Sequence, residues 1–327
     1  MKDFILNLQL FAELNTNVTT DSGLSKENKT YYDMTLIEEA SAQLVHDQFA
    51  QKRNIPANGG KKIEFRKFAS LPKATTALTE GVTPDGKKLS VTSIEAEVAQ
   101  YGDYIVQSDV LELTSIDNTI VEATKILGRQ AGMTLDTITR NVLQAGTNVW
   151  YAPKSDGSAV TSRAGLDDTC VLTVDLVSKV AAFLKKNNAP KINGDYVAII
   201  HPFVAYDLMN DPNWRHPHEY KDTSEVYNGE LGKIAGVRFV ESSEAKVYEN
   251  GVFGCLFMGA NAYGTTEVTG GGLTTIIKQK GSAGTADPLD QRSSIGWKAM
   301  KTAEILVDPY LIRVECKSAL SDKVSAN

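Results

Sequence analysis

A long run with helical period constrains this chain more than any other feature. Between Ser115 and Ala145, apolar residues recur every three or four positions, the spacing of one face of an α-helix. The predicted helix would be about 45 Å long at ~1.5 Å per residue, so it has to cross a whole domain. Gly128 and Gly132 each cost the helix ~1 kcal/mol relative to alanine, which predicts either close packing against the backbone or a kink. The apolar positions are Ile116, Ile120, Ala123, Leu127, Ala131, Leu135, Ile138 and Val142.

Composition limits the class of protein. The 327 residues are 42% hydrophobic and 23% charged, which is typical of a globular protein with room for about two domains. The net charge of −6 gives no long-range attraction to nucleic acid or to anionic membranes and argues against a DNA-binding protein. Cys170, Cys255 and Cys316 form no CxxC motif, which favours a reduced, intracellular origin. No stretch has the ~18 apolar residues that a membrane span needs.

The first 60 residues are predicted to form an arm and a helix. The opening MKDFILNLQLFAE fits a signal peptide poorly, and the polar run after it carries too little apolar surface to build a core. We therefore expect an arm that needs a partner. Residues from Tyr32 to Phe49 have helical spacing, and the lone His46 is expected on the surface of that helix.

Residues 61–108 are predicted to form an extended β-hairpin. The segments 61–71 and 91–108 both alternate in polarity, and basic residues on the first can face acidic residues on the second. Their connection is longer than the ~12–15 residues usual for an unstructured loop in a compact domain, and such a loop is usually functional or disordered. A two-stranded ribbon is marginal alone in water, so a neighbouring subunit is its natural support. The expected inter-subunit contacts are Phe65, Arg66, Lys67, Asp85, Lys87, Lys88, Glu95 and Glu97.

The rest of the chain alternates helices and strands. TVDLVSKVAAFLKKNN predicts a helix that ends before Pro190, and YVAIIH (196–201) predicts a buried strand. FVAYDLMN predicts a short helix, and strands are expected in GVRFVES, VFGCLFMG and TTIIKQK. Two further strands flank the turn at Asp308 and Pro309.

No complete catalytic motif is visible in the sequence. GVTPDGKK (81–88) matches the GxxxxGK spacing of a phosphate-binding loop, but Lys88 stands where Ser or Thr should bind magnesium and no helix follows. His216 and His218 have no cysteine or acidic cluster at matching spacing, so a hydrated or interface loop is preferred to a metal site. GxSxG and HExxH are absent. We expect no enzyme activity, no cofactor and no metal.

Seven blocks follow one another along the chain: KTYYDMTLIEEA, LVHDQFAQKRNIPANGGKKIEFRKF, LTEGVTPDGKKLSV, QYGDYIVQSDVLELTSIDNTIVEAT, LDTITRNVL, GELGKIAGVRFVES and GANAYG. Taken in order, they resemble the major capsid proteins of tailed bacteriophages, with the podophage-type family as the nearest group. The likeness covers roughly residues 29–317. It implies an α+β chain with the tailed-phage major capsid fold: N-terminal arm, E-loop hairpin, spine helix, peripheral (P) domain and axial (A) domain.

The implied divisions follow the chain. They are residues 1–60 for the arm and helix, 61–108 for the E-loop β-hairpin, 109–165 for the P-domain with the spine helix, 166–273 for the A-domain, and 274–327 for the return to the P-domain and the tail. The resemblance further implies self-assembly into hexamers and pentamers of an icosahedral shell in the host cytoplasm, around double-stranded DNA held without sequence-specific binding. Scaffolding, portal and decoration proteins are candidate further partners, and no membrane is involved. A cellular nanocompartment shell of the same fold is the alternative.

Overall fold

The computed structural model describes residues 34–40, 44–56, 60–68, 71–78, 80–83, 85–114, 119–214, 231–268, 271–282 and 287–327. The helices are 34–40 (α1), Asp109–Thr114 (α2), Thr119–Gln144 (α3), Val174–Lys186 (α4) and Pro202–Asn210 (α5). The strands are Gln51–Ile55 (β1), Lys62–Phe68 (β2), Val91–Glu97 (β3), Ala99–Ser108 (β4), Val149–Tyr151 (β5), Tyr196–Ile200 (β6), Lys233–Ile234 (β7), Val237–Glu241 (β8), Val247–Tyr248 (β9), Val252–Met258 (β10), Tyr263–Val268 (β11), Thr274–Lys278 (β12), Arg292–Ile305 (β13) and Leu311–Cys316 (β14).

The long helix predicted from the sequence is confirmed as α3, which spans 26 residues and is about 39 Å long at ~1.5 Å per residue. Residues 115–118, where the prediction starts it, lie outside the described residues. Four positions of the predicted stripe are buried, namely Ala123, Leu127, Ala131 and Leu135. A β-carbon on Gly128 would lie 2.9 Å from the carbonyl oxygen of Leu36 in α1. The expected close packing at this glycine is therefore confirmed, and its partner is the backbone of α1.

One sheet, which we call sheet I, packs against α3. It has the order β1, β11, β13, β12, and β4 also pairs with β13. The long strand β13 runs antiparallel to β4 from Arg292 to Lys301 and to β11 at its far end. Ile295, Trp297 and Ala299 of β13 share a buried cluster with the α3 stripe and Leu36. This cluster fixes α3 across the sheet.

A second sheet, sheet II, has the order β5, β14, β10, β6, β8, β7, and β9 also pairs with β10. Every residue of β6 is buried, which confirms the predicted buried strand. Ala198 and Ile200 share a cluster with residues of α4 and α5, whereas Val197 and Ile199 share one with Leu143 of α3. Because both faces are covered, β6 is a continuous apolar run instead of an alternating one.

Two expectations need correction. The helix predicted from Tyr32 to Phe49 is helical only over 34–40 in the described part, because 44–50 forms turns. The hairpin predicted for 61–108 ends at Glu97, since β4 leaves the ribbon and pairs with β13. The domain division at residue 274 stays a prediction. The strand β11, which precedes it, lies in sheet I, and β14, which follows it, lies in sheet II.

Candidate assembly surfaces

The first candidate surface is the ribbon, formed by β2, β3 and their connection. The two strands pair in antiparallel register from Lys62 with Glu97 to Phe68 with Val91. The amide of Val98 donates to the carbonyl of Lys61 at 2.9 Å and closes the root of the ribbon. Among the described strands, β2 and β3 pair only with each other.

Phe65 fastens the ribbon to its own subunit. Its side chain is 5% exposed, and a β-carbon added to Gly264 of β11 would lie 3.0 Å from a carbon of its ring. The guanidinium carbon of Arg53 in β1 lies 5.7 Å from the ring centroid. Phe65 was expected at an inter-subunit contact, but its side chain is buried in the subunit because it packs on the edge of sheet I.

The charged residues of the ribbon are on its surface and pair along it. Lys62 Nζ lies 3.6 Å from Glu95 Oε2, which is the kind of cross-strand pair the sequence predicts. Arg66 instead pairs with Glu64 of its own strand at 3.1 Å, and this hydrogen bond holds the pKa of the Glu64 carboxyl below its ordinary value. Glu97 is exposed opposite Lys62. The backbone of Lys67 lies in β2 opposite Thr92.

The connection between the strands, residues 71–90, we call the ribbon tip. Asp85, Lys87 and Lys88 are all exposed there, and their contact with another subunit stays a prediction. Large apolar side chains are exposed beside them, and Leu78 reaches 77% exposure. The exposed apolar residues of the tip are Leu71, Leu78, Val82 and Leu89. A tip with this much apolar surface is typical of a segment that contacts another surface.

Sequence reasoning did not identify the second surface, helix α2. None of its residues is buried. Val110, Leu111 and Leu113 are exposed, Leu113 by 80%. The signal in the sequence is the apolar cluster VLEL at residues 110–113.

A buried polar network fixes the 44–50 segment to α3. His46 is 1% exposed, so the expectation that it lies on a helix surface is wrong. Its amide and its Nδ1 contact the two oxygens of Asp136, at 2.7 and 2.6 Å. Asp47 accepts a 2.6 Å hydrogen bond from the Thr139 hydroxyl and pairs with the buried ammonium of Lys301 in β13. These contacts join α3, sheet I and the chain that leads into β1.

The described residues contain no group of three or more His, Cys, Asp or Glu side chains that could hold a metal ion. No helix in the described ranges is long and apolar enough to cross a membrane. His216 and His218 lie outside those ranges. The exposed loop at 81–88 is followed by β3 and not by a helix, so it lacks the helix N-terminus that binds phosphate.

Solved structures share this architecture. The capsid protein of cyanophage Pam1 superposes with a TM-score of 0.67 at 12% identity, over 86% of this chain and 92% of that one. That of cyanophage P-SCSP1u gives 0.63 at 16% identity, over 83% and 87%. A virus-like particle from Pyrococcus furiosus gives 0.51 at 8% identity, over 88% and 99%. At these identities the likeness shows the fold, here the tailed-phage capsid fold.

The family of this chain is shown by its sequence. No curated protein matches the chain in sequence. The model of a family described as phage capsid protein matches residues 91–312, which is about two thirds of the chain and includes α2, α3 and most of both sheets. This chain therefore belongs to the phage capsid protein family and is a major capsid protein, a structural subunit of the shell of a phage virion.

Proposed function

We propose that copies of this chain close into hexamers and pentamers of an icosahedral head around double-stranded DNA, and that the ribbon joins neighbouring subunits. The observation that carries the proposal is the ribbon itself, whose strands pair with each other and end in an exposed apolar tip. Two strands alone are marginal in water. Phe65 supports the ribbon within its own subunit, and a second subunit would supply the surface that the exposed tip lacks.

The proposed P-domain and A-domain correspond to the two sheets. We place the P-domain in α3 and sheet I, and the A-domain in sheet II with α4 and α5. Most of the P-domain still comes from the predicted ranges 109–165 and 274–327, and most of the A-domain from 166–273. The strand β11 is now assigned to the P-domain and β14 to the A-domain. The arm, residues 1–33, would act between subunits, and it lies outside the described residues.

The charge of the chain supports a shell that encloses DNA without reading its sequence. At a net charge of −6, attraction to phosphate has to come from local patches, and a base-reading surface would be opposed by bulk repulsion. We infer a non-enzymatic subunit assembled in the host cytoplasm. Scaffolding, portal and decoration proteins are further partners to test.

Electron microscopy of the purified protein tests the proposal. Closed shells are expected, and particles purified from phage-producing cells should protect genome-length DNA from nuclease. A compact monomer at micromolar concentration, with and without a scaffolding protein, would overturn it. The alternative is a cellular nanocompartment shell of the same fold, and shells filled with a protein cargo instead of DNA would support that alternative.

A further inference from the structure

Two of the three cysteines in this chain lie side by side in the core of sheet II. The sulfur atoms of Cys255 in β10 and Cys316 in β14 are 3.8 Å apart. Both side chains are buried, and both thiols are free. The fold brings them together, since 61 positions separate them along the chain.

The register of the two strands explains why the sulfurs meet. Strands β10 and β14 are antiparallel, with Cys316 opposite Phe253 and Cys255 opposite Val314. Side chains two positions apart on a strand point to the same face, so Cys255 and Cys316 are diagonal neighbours on one face of the sheet. That face belongs to the buried cluster that also contains residues of α4 and α5.

The separation of the two sulfurs is that of thiols in contact. A disulfide holds its sulfurs ~2.0 Å apart, so these two would have to approach by about 1.8 Å. Because diagonal neighbours lie farther apart in the backbone than most bridged cysteines, the strands would also have to shift, and the bond would be strained and easily reduced. It would therefore form only in oxidising surroundings.

A bond at this place would close the excursion that the chain makes into sheet I. The chain leaves sheet II at the end of β10, adds β11, β12 and β13 to sheet I, and returns to sheet II as β14. Cys255 and Cys316 lie at the two ends of that excursion. A disulfide between them would keep β10 and β14 together when the rest of the subunit loosens, because a cross-link mainly restricts the unfolded chain.

The redox state of the pair depends on where the particle is. Glutathione keeps thiols reduced in a cytoplasm, whereas the medium outside a cell is oxidising. The hydrogen bond with Cys255 and burial raise the pKa of the Cys316 thiol well above its ordinary value. Because the thiolate is the form that reacts, the pair would react slowly and stay reduced while subunits fold and assemble.

We propose that Cys255 and Cys316 are a latent disulfide, which closes after the particle leaves the reducing cytoplasm. The timing rests on the proposed function, a virion that is released from its host. The oxidant is a low-molecular-weight disulfide such as oxidised glutathione. One cysteine thiolate attacks it and releases a thiol, and the second cysteine then attacks the mixed disulfide and releases another. The protein loses two hydrogen atoms, and the oxidant is reduced to two thiols.

Counting thiols in intact particles tests the proposal. Particles purified under reductant should show three free thiols per chain after denaturation, and one after several days in oxidised glutathione. Peptide mapping without reduction should recover the peptides of Cys255 and Cys316 joined, with two hydrogen atoms missing from their summed mass. Particles of Cys170→Ser, the matched control, should still form this cross-link, whereas particles of Cys316→Ser should not.

The outcomes separate the two proposals. Particles that keep three thiols, in a buffer that oxidises the urea-unfolded chain, would overturn the latent disulfide and leave the shell function intact. A cross-link that includes Cys170 would overturn it as well, since that thiol contacts Asp167 instead of the pair. A chain that forms the bond but never builds particles would overturn the proposed function alone.

A second measurement tests what the bond does. Oxidised particles should unfold in urea roughly tenfold more slowly than the same particles kept in reductant. Particles of Cys255→Ala, which cannot form the bond, should unfold at the same rate in both buffers. Equal rates for the unaltered chain would overturn the disulfide as a tie between β10 and β14.

Discussion

A β-carbon on Gly128 would lie 2.9 Å from the carbonyl oxygen of Leu36, a contact that no ordinary side chain can make. Alanine normally stabilises the interior of a helix by ~1 kcal/mol relative to glycine. At this position we expect the opposite sign, because the backbone of α1 would have to move. Gly128→Ala should lower the melting temperature of the subunit. Gly86→Ala, where nothing lies within 4 Å of the added carbon, should leave it unchanged and serves as the control.

The pair of Lys301 and Asp47 gives a second prediction. The side chains are 2% and 10% exposed, so Lys301→Met would leave a buried carboxylate with only the Thr139 hydroxyl. Breaking a buried pair from one side typically costs ~3–5 kcal/mol, whereas replacing both partners with apolar residues is far milder. Denaturant unfolding should show a large loss for Lys301→Met and a smaller one for Lys301→Met with Asp47→Leu. Equal losses would mean that packing, not charge, decides stability here.

Charge reversal on the ribbon should separate assembly from folding. Glu95 pairs with Lys62 at 3.6 Å, and Glu97 lies opposite Lys62 in register. Glu95→Lys with Glu97→Lys would set like charges against each other, which costs the exposed hairpin only a few tenths of a kcal/mol per pair. We expect particle yield to fall much more than the melting temperature of the subunit. An equal fall in both would make these charges merely structural.

Shortening the ribbon is the strongest test of its role. Residues 74–90 replaced by Asn-Gly, a two-residue hairpin turn, would remove exposed side chains such as Leu78, Val82 and Leu89. Because they bury little in their own subunit, circular dichroism should remain that of the folded chain. Stable particles should not form, since the same contact is lost at every subunit boundary. Normal shells from this variant would contradict the ribbon as an inter-subunit clasp.

Acid should affect the subunit through Glu304 of β13. Burial raises the pKa of its carboxyl above the ordinary value of 4.5. The folded chain therefore holds this proton more tightly than the unfolded chain. The associated stability is present below pH 4.5 and is lost as pH rises through the folded-state pKa. Glu304→Gln should raise the melting temperature at pH 7 relative to the unaltered chain and change it less at pH 4.

The periodic elements could be predicted from the sequence, because their patterns record the surfaces that they bury. Helix α3 presents a single buried face, and β6 is apolar throughout because both of its faces are covered. The same reasoning predicted wrongly that the segment 44–50 is helical. Its residues keep helical spacing, but His46 and Asp47 turn inward to meet Asp136 and Lys301, partners far along the chain.

The bounds of the ribbon depended on pairing that the sequence does not record. Val98 ends the hairpin because the next strand finds β13, which lies about 200 residues later in the chain. The burial of Phe65 could not be predicted for the same reason, because Gly264, against which its ring packs, is also about 200 residues away in the chain. Of the predicted contact residues, those at the tip are exposed as expected, and the apolar helix α2 was overlooked because it is too short to show a period.

Helix α3 passes from one hydrophobic core to the other. Leu127 belongs to the cluster beneath sheet I, Leu143 to the cluster beneath sheet II, and Gln144 donates to the carbonyl of Gly254 in β10 at 2.8 Å. Because α3 packs in both cores, a change of its angle in one core moves the other core. Given its ~1.5 Å rise per residue, a tilt of about 5° at one end displaces the other by roughly 3 Å. One angle, repeated in every subunit, would then set the curvature of the whole particle.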